Sequence, residues 1–247
     1  MIKGIQTTGS ALKPIMTRLE VIANNLANIN TTGFKKDTVF LQMMNDTGLE
    51  QAKTQGDSTG YDTRRYTDFS EGSPRNTGNP LDLMIQGRGF FVVDAGDGVT
   101  YTRNGNFALS ADGTVTTHDG RPVMGVGGPL RLPDLQKDAA GTVAISETGE
   151  LIVDKHVVGR LRIVDLTDAT QFEKRGDAFI APRQPGLVRD VEEGAYMVRQ
   201  GYLEESNVDG LDELVQMIEL TRTFESGQRA IQQQDATLDK SMDIGRY

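Results

Sequence analysis

Residues 12–34 read LKPIMTRLEVIANNLANINTTGF. Leu12, Ile15, Leu19, Ile22, Leu26 and Ile29 follow one another by alternating steps of three and four. That is the apolar seam of a helix packed along one side. Asn24, Asn25, Asn28 and Asn30 crowd the end of the same stretch, although asparagine amides compete for backbone groups and weaken a helix. On this pattern the asparagines lie largely off the seam. Gly33 is placed to take the left-handed conformation that ends a helix, and Phe34 to fold back on its last apolar turn. Pro14 lacks an N–H, so it marks a kink or a first turn. The spacing predicts a helix over about residues 14–30, extending toward residue 3 through Ile5, one heptad before Leu12. On physical grounds alone the asparagines belong to an ordinary glycine-capped terminus. In a bundle of helices from neighbouring chains, a buried amide would instead fix register.

The other end carries a second periodic segment. Met217, Phe224, Ile231 and Leu238 recur every seven residues, interleaved with Leu214, Thr221, Gln228, Asp235 and Met242. This seam is half apolar and half polar. Ser206, Asn207 or Asp209 suits its cap. Glu204, Glu205, Asp209, Asp212 and Glu213 suit the positive end of a helix dipole. A helix over about residues 208–242 is predicted.

Between the two the texture changes. Residues 45–79 are rich in Gly, Thr, Asp and Ser and read as an extended linker. LDLMIQGRGFFVVD, from Leu81, sets Leu83 and Ile85 on one face and then a buried run, Phe90 to Val93. Asp-Gly and Asn-Gly pairs punctuate the residues that follow at hairpin spacing. The expected fold is α+β. Long N- and C-terminal helices form a coiled-coil-like pair that brackets one mainly antiparallel β domain. The expected boundaries are 1–44 for the first helix and its motif, 45–79 for the linker, 80–205 for the β-rich domain and 206–247 for the last helix.

Composition narrows the function. The 247 residues carry a net charge of −9 and no cysteine. An acidic chain is a poor match to nucleic acid and offers no basic amphipathic surface to anionic lipid. Disulfides and cysteine metal sites are excluded. MIKGIQTTGS has no apolar signal-peptide core, and no stretch reaches membrane-spanning length. Direct membrane insertion is therefore not expected.

No catalytic constellation stands out. Gly87-Arg88-Gly89 fails the dinucleotide fingerprint, because Val92 stands where a third glycine is needed; a turn or bulge explains it. Asp94, Asp97 and Asp112 sit in turn sequences that match no calcium loop. His118 and His156 are far apart and have no evident ligand set. Glu192–Glu193 and Glu204–Glu205 fit a solvated acidic surface better than a hydrolase dyad. No cofactor or metal is expected.

ANNLANINTTGFKK, residues 23–36, resembles the N-terminal signature of the flagellar axial proteins, the rod and hook family. Asn24, Asn25, Leu26, Ala27, Asn28, Thr32, Gly33 and Phe34 carry the likeness. NTGNPLDLMIQGRGFFVV followed by YTRNGNFALSADGTVTTHDGRPV is similar to the family's central region. QGYLEESNVDGLDELVQMIELTRTFE resembles its C-terminal signature. The three blocks stand in family order along nearly the whole chain. The resemblance implies a structural, non-enzymatic rod subunit of the bacterial basal body, exported by the flagellar type III apparatus without a cleaved signal. Its terminal helices would assemble with copies of itself and other rod subunits around an export channel and carry torque. Chain length and a single small β domain suggest a rod rather than a hook protein, and MIELTRTFESGQ resembles the proximal-rod type; a distal-rod or short hook-like subunit is the alternative. The implied assembly residues are the seam Leu12, Ile15, Leu19, Ile22, Leu26 and Ile29, the motif Asn24, Asn25, Asn28, Thr32, Gly33 and Phe34, and the seam Leu214, Met217, Phe224, Ile231 and Leu238. A reading of another class, an extracellular β-domain module for cell-wall glycan, requires exposed aromatics in a chain only 6% aromatic.

Overall fold

The computed structural model describes residues 2–43, 61–96, 98–132, 143–166, 172–174, 176, 179–182, 186–192 and 194–244. Side chains of residues 2–11, 41–43, 61–63, 179, 235 and 238–244 fall outside this description, and with them Ile5, Asp235, Leu238 and Met242. The chain divides into two compact units. One comprises Met1–Ala27, Asp37–Tyr66 and Asp209–Tyr247, the other Asn28–Lys36 and Thr67–Val208.

The first unit holds helix α1 (Ile2–Ala27), strands β1 (Asp37–Met43) and β2 (Tyr61–Thr67), and helix α2 (Gly210–Ile244). Pro14 lies within α1 and is buried. The start of α2 is capped by Asp209. Its Oδ1 accepts from the Leu211 N–H at 3.0 Å and the Asp212 N–H at 3.2 Å, satisfying donors that a helix start leaves unpaired. Asp212 and Glu213 in the first turn favour the dipole.

The expected coiled-coil-like pair of terminal helices is not formed. Among the described residues two helices stand beside nineteen strands, so strands dominate the fold. A coiled coil needs apolar knobs on both seams. In α2 the interleaved positions Leu214, Thr221 and Gln228 are exposed, and Leu211, Val215 and Ile218 with them. Met217, Phe224 and Ile231 are only half-buried. In α1, Ile22 is buried, while Leu12, Ile15, Leu19 and Leu26 are half-buried; Ile29, beyond the end of the helix, is half-buried too. Where α1 and α2 touch, the contacts include polar pairs and a close apolar approach. Arg18 donates to Gln216 at 3.3 Å and Asn25 to Glu213 at 3.4 Å. Leu12 rests on Gly227, where an added Cβ would lie 2.7 Å from Leu12 Cδ2.

The strands of the second unit begin with β3 (Pro74–Asn76), β4 (Leu83–Gly87), β5 (Phe90–Asp94) and β6 (Val99–Thr102). Then come β7 (Phe107–Leu109), β8 (Val115–Thr117), β9 (Met124–Gly125) and β10 (Gly128–Pro129). A meander of β11 (Val143–Ile145), β12 (Glu150–Val153) and β13 (His156–Arg160) follows. The last strands are β14 (Ile163–Leu166), β15 (Phe172–Lys174), β16 (Phe179–Pro182), β17 (Val188–Asp190), β18 (Tyr196–Gln200) and β19 (Tyr202–Glu204).

These strands do not make one sheet. The largest sheet has six strands in the order β15-β16-β6-β5-β14-β17; the meander makes another, and the rest pair two by two. At its centre β5 is buried on both faces. Phe91 and Val93 point one way, Phe90 and Val92 the other. Phe91 joins a core with Leu83, Ile85, Phe107, Val123, Leu151 and Val198. Phe90 and Val92 join a second with Tyr101, Val164, Phe172 and Ile180. The run read as buried from the sequence is therefore the strand that separates two cores. Gly87 and Gly89, at φ +94° and +126°, turn the chain between β4 and β5.

Candidate functional site

The N-terminal motif is divided between the two units. In the first, Asn25 is 1% exposed, contrary to its expected place off the seam. Its amide works as a piece of strand. Nδ2 donates to the Asp37 carbonyl and Oδ1 accepts from the Asp37 N–H, both at 2.9 Å. Nδ2 also faces the Glu213 carboxylate, itself 2% exposed. Asn25 thus ties the end of α1 to the start of β1 and the first turn of α2. A buried amide in this position is satisfied on both its atoms, which a leucine could not reproduce.

In the second unit the motif continues as a turn. Thr31 returns two hydrogen bonds to buried Asn28, from N–H to carbonyl at 3.1 Å and from Oγ1 to Oδ1 at 3.0 Å. Gly33 has φ +69°, and its N–H donates to the Glu204 carbonyl at 2.8 Å. A Cβ there would strike the backbone of Asn104 and Arg103. Glycine is therefore required twice, by its torsion and by the approach of the backbone that follows β6. Phe34 is buried. Its ring lies under the Lys174 ammonium at 4.2 Å, within this same unit.

Next to Phe34 sits a dense, buried polar site. Lys35 Nζ donates to Glu204 Oε1 and to the Ser70 carbonyl, each at 2.5 Å. Arg103 Nη1 donates to Glu204 Oε2 at 3.2 Å and to the Ile85 carbonyl at 2.9 Å, and Nη2 to the Gly87 carbonyl at 2.7 Å. The Gly72 N–H adds a third donor to the carboxylate at 2.9 Å. Side-chain exposures of Lys35, Arg103 and Glu204 are 2, 4 and 0%. Burial pushes the Lys35 ammonium below the usual lysine range; the Glu204 carboxylate opposes this shift and the Arg103 charge adds to it. Two cations share one carboxylate, and Arg103 Nε has no hydrogen-bond partner among the described residues. The guanidinium lies 5.1 Å from the Phe90 ring centroid. Asn207 completes the site. Its Oδ1 accepts from the Lys36 N–H at 2.8 Å, and its Nδ2 donates to the Asp68 carbonyl at 2.9 Å.

Three distant blocks of sequence, at residues 33–36, 103 and 204–207, therefore meet at one buried knot. Sequence reading missed Lys35, Arg103 and Asn207. It placed Glu204 with Glu205 on a solvated surface, but Glu204 is fully buried and only Glu205 is exposed. The available signal was the position of Lys35 and Glu204 inside the two signature blocks. Asn24 and Asn30 are exposed, and Thr32 is half-buried. Among the described residues no cluster of His, Cys, Asp and Glu gathers to hold a metal.

The chain was compared with known proteins. Residues 5–35 match the family described as flagella basal body rod protein. Residues 84–153 match the flagellar hook protein FlgE/F/G D1 domain, and residues 199–244 the flagellar basal body rod FlgEFG protein C-terminal region. The flagellar basal-body rod protein FlgG of Bacillus subtilis is 32% identical over the full length of both chains. The chain belongs to the flagellar basal-body rod protein family. The rod protein FlgF of Caulobacter vibrioides is 34% identical over 84% of this chain and 83% of its own. FlgF of Mesorhizobium japonicum is 31% identical over 94% and 93%. As a rod-family member the chain is a structural subunit of the flagellar basal body and is located there. Of the residues of the knot, Lys35 falls in the first matched region, Ile85, Gly87 and Arg103 in the second, and Glu204 and Asn207 in the third, while Lys36, Asp68, Ser70 and Gly72 lie outside them.

Proposed function

We infer that this chain is a proximal-rod subunit that polymerises through its terminal helices, around a channel used for export, and passes torque along the rod. The observation that carries the assembly reading is the apolar surface left on the helices. Leu211, Leu214, Val215 and Ile218 of α2 and Met16 of α1 are exposed, more than a helix of a finished core leaves in water. Residues 1–44 and 206–247 form the assembling part, 45–79 the connection and 80–205 the β-rich part. The half-buried seam residues Leu12, Ile15, Leu19, Leu26 and Ile29, with Met217, Phe224 and Ile231, contact neighbouring subunits. The likeness of MIELTRTFESGQ to proximal-rod proteins supports the axial position. The partners are copies of the chain, other rod subunits and the flagellar type III export apparatus, with no catalysis and no cofactor.

An in-frame deletion in the native host, with basal bodies imaged by electron microscopy, tests this. Truncated rods without hooks, restored by the intact gene, are expected, and the level of truncation gives the axial position. Complete rods and normal swimming would remove the reading.

A further inference from the structure

We propose that the knot around Glu204 is a mechanical clamp. It fastens together the points at which the chain enters and leaves the second unit, so that tension is resisted there before it reaches the two cores. The clamp deepens the reading of the chain as a subunit that passes torque, and its purpose rests on that reading.

The chain passes between the two units at Ala27/Asn28, Lys36/Asp37, Tyr66/Thr67 and Val208/Asp209. The last three connections are flanked by residues of the knot: Lys35 and Lys36, Asp68 and Ser70, Glu204 and Asn207. Tension that enters the second unit at Thr67 and leaves at Val208 meets these residues before any strand of the cores.

Strand pairing alone would resist it poorly. β3 and β19 run antiparallel, with Pro74 opposite Glu204 and Asn76 opposite Tyr202. Thr67 and Val208 lie beyond the same end of this pair. The bonds of an antiparallel ladder lie across the strands, so a pull from one end opens them one at a time, as in a zipper. The mouth of this zipper is held differently. Asn207 Nδ2 on the leaving side donates to the Asp68 carbonyl at 2.9 Å and to Ser70 Oγ at 3.0 Å on the entering side. Residues 33–36 cross both sides as a strap. The Lys36 carbonyl accepts from the Asp68 N–H at 2.8 Å, and the Lys36 N–H donates to Asn207 Oδ1 at 2.8 Å. Lys35 repeats the bridge with its side chain, donating to the Ser70 carbonyl and to Glu204 Oε1. The Gly33 N–H adds a bond to the Glu204 carbonyl. Opening the mouth therefore breaks several bonds together, and those to the buried charges are the strong ones. Arg103 anchors the clamp to the core side, because its guanidinium holds Glu204 and the Ile85 and Gly87 carbonyls at once.

The absence of native cysteine allows attachment points to be chosen freely. The full-length chain carrying Tyr66→Cys and Leu211→Cys, both exposed positions, is pulled in an optical trap. The second unit should open in one step that releases about 500 Å of chain. Lys35→Met should raise the rupture rate at fixed force about tenfold, and Glu204→Gln should raise it further. Leu151→Ala, in the core around Phe91, should change that rate less than about threefold, although its cost in urea unfolding should be at least as large as that of Lys35→Met. Attachment at Val99→Cys and Val157→Cys, also exposed, loads the sheets instead, and there Leu151→Ala should be the more damaging variant. A Lys35→Met chain that ruptures like its parent between residues 66 and 211 would overturn the clamp. So would Leu151→Ala weakening that geometry as much as Lys35→Met. These forces are read on a lone chain, so a failed clamp leaves the rod-subunit reading standing. Complete rods in the deletion strain would remove that reading without touching the measured resistance of the knot.

Discussion

Glu204 is the residue on which the second unit's polar interior turns, because it is the one carboxylate facing both Lys35 and Arg103. Removing a partner from a buried ion cluster is costly when it leaves charge uncompensated. The arithmetic of the cluster sets an order. Glu204→Gln leaves two buried cations without their carboxylate, so it should destabilise the chain by about 3–5 kcal/mol in urea unfolding. Lys35→Met leaves Arg103 and Glu204 as a balanced pair, and its cost should be clearly smaller. Equal costs would show that the lysine, not the carboxylate, organises the knot. The lysine also sets a pH dependence. Its folded value is lowered, by burial first, so between that value and the ordinary lysine range the unfolded chain binds more protons than the folded one. Stability contributed by this group should therefore rise with pH across that window. The rise should be absent from the difference curve of Lys35→Met, measured by unfolding at several alkaline pH values. Gly33→Ala meets strain and a backbone clash together. A loss of at least about 1–3 kcal/mol is expected in the same assay.

At the scale of elements, the sequence was clear where period and packing agree and misleading where they part. Heptad spacing located both helices and the buried run at β5. It left open how deeply each position is covered, because a hydrophobic period reports a face without saying what covers it: Ile22 is buried, Phe224 and Ile231 are half-buried, and Leu214 is exposed. The asparagines expected to lie off the seam include the best-buried polar group of α1, Asn25, since its amide replaces backbone partners of Asp37. No periodicity encodes that exchange. Likewise the Lys35–Glu204 pair joins residues 169 apart in sequence, and a contact of that separation has no local signature. The turn glycines were legible because their torsions are local. The exposed stripe of α2 follows from the same comparison of period with burial. Ile218→Asp places a charge on a residue already in water, so the isolated chain should keep its unfolding midpoint to within about 0.5 kcal/mol. Incorporation into basal bodies should nevertheless fall sharply, as read by immunoblot of purified rods. A variant that destabilises the monomer would show that Ile218 belongs to an internal contact.

For the molecule as a whole, the two units differ in how much apolar surface they bury on their own. The second unit has two cores built around β5, and its buried charges Lys35, Arg103 and Glu204 are tied into hydrogen bonds. In the first unit, most of α2 from Thr221 to Thr237 is exposed apart from a thin stripe at Phe224, Gly227 and Ile231. A helix whose stability must come from tertiary packing is marginal when only one narrow side is packed. Local opening should then be cheap in α1 and α2 and costly at β5. Amide hydrogen exchange on the isolated chain should show residues 14–30 and 210–240 exchanging well before β4, β5 and β6. Protection of the helices should rise on assembly, since neighbours then cover the apolar stripe and the ordering entropy is offset by new contacts. Helices as strongly protected as β5 in the lone chain would mean that the first unit is complete by itself. Its exposed leucines and isoleucine would then need another explanation than assembly.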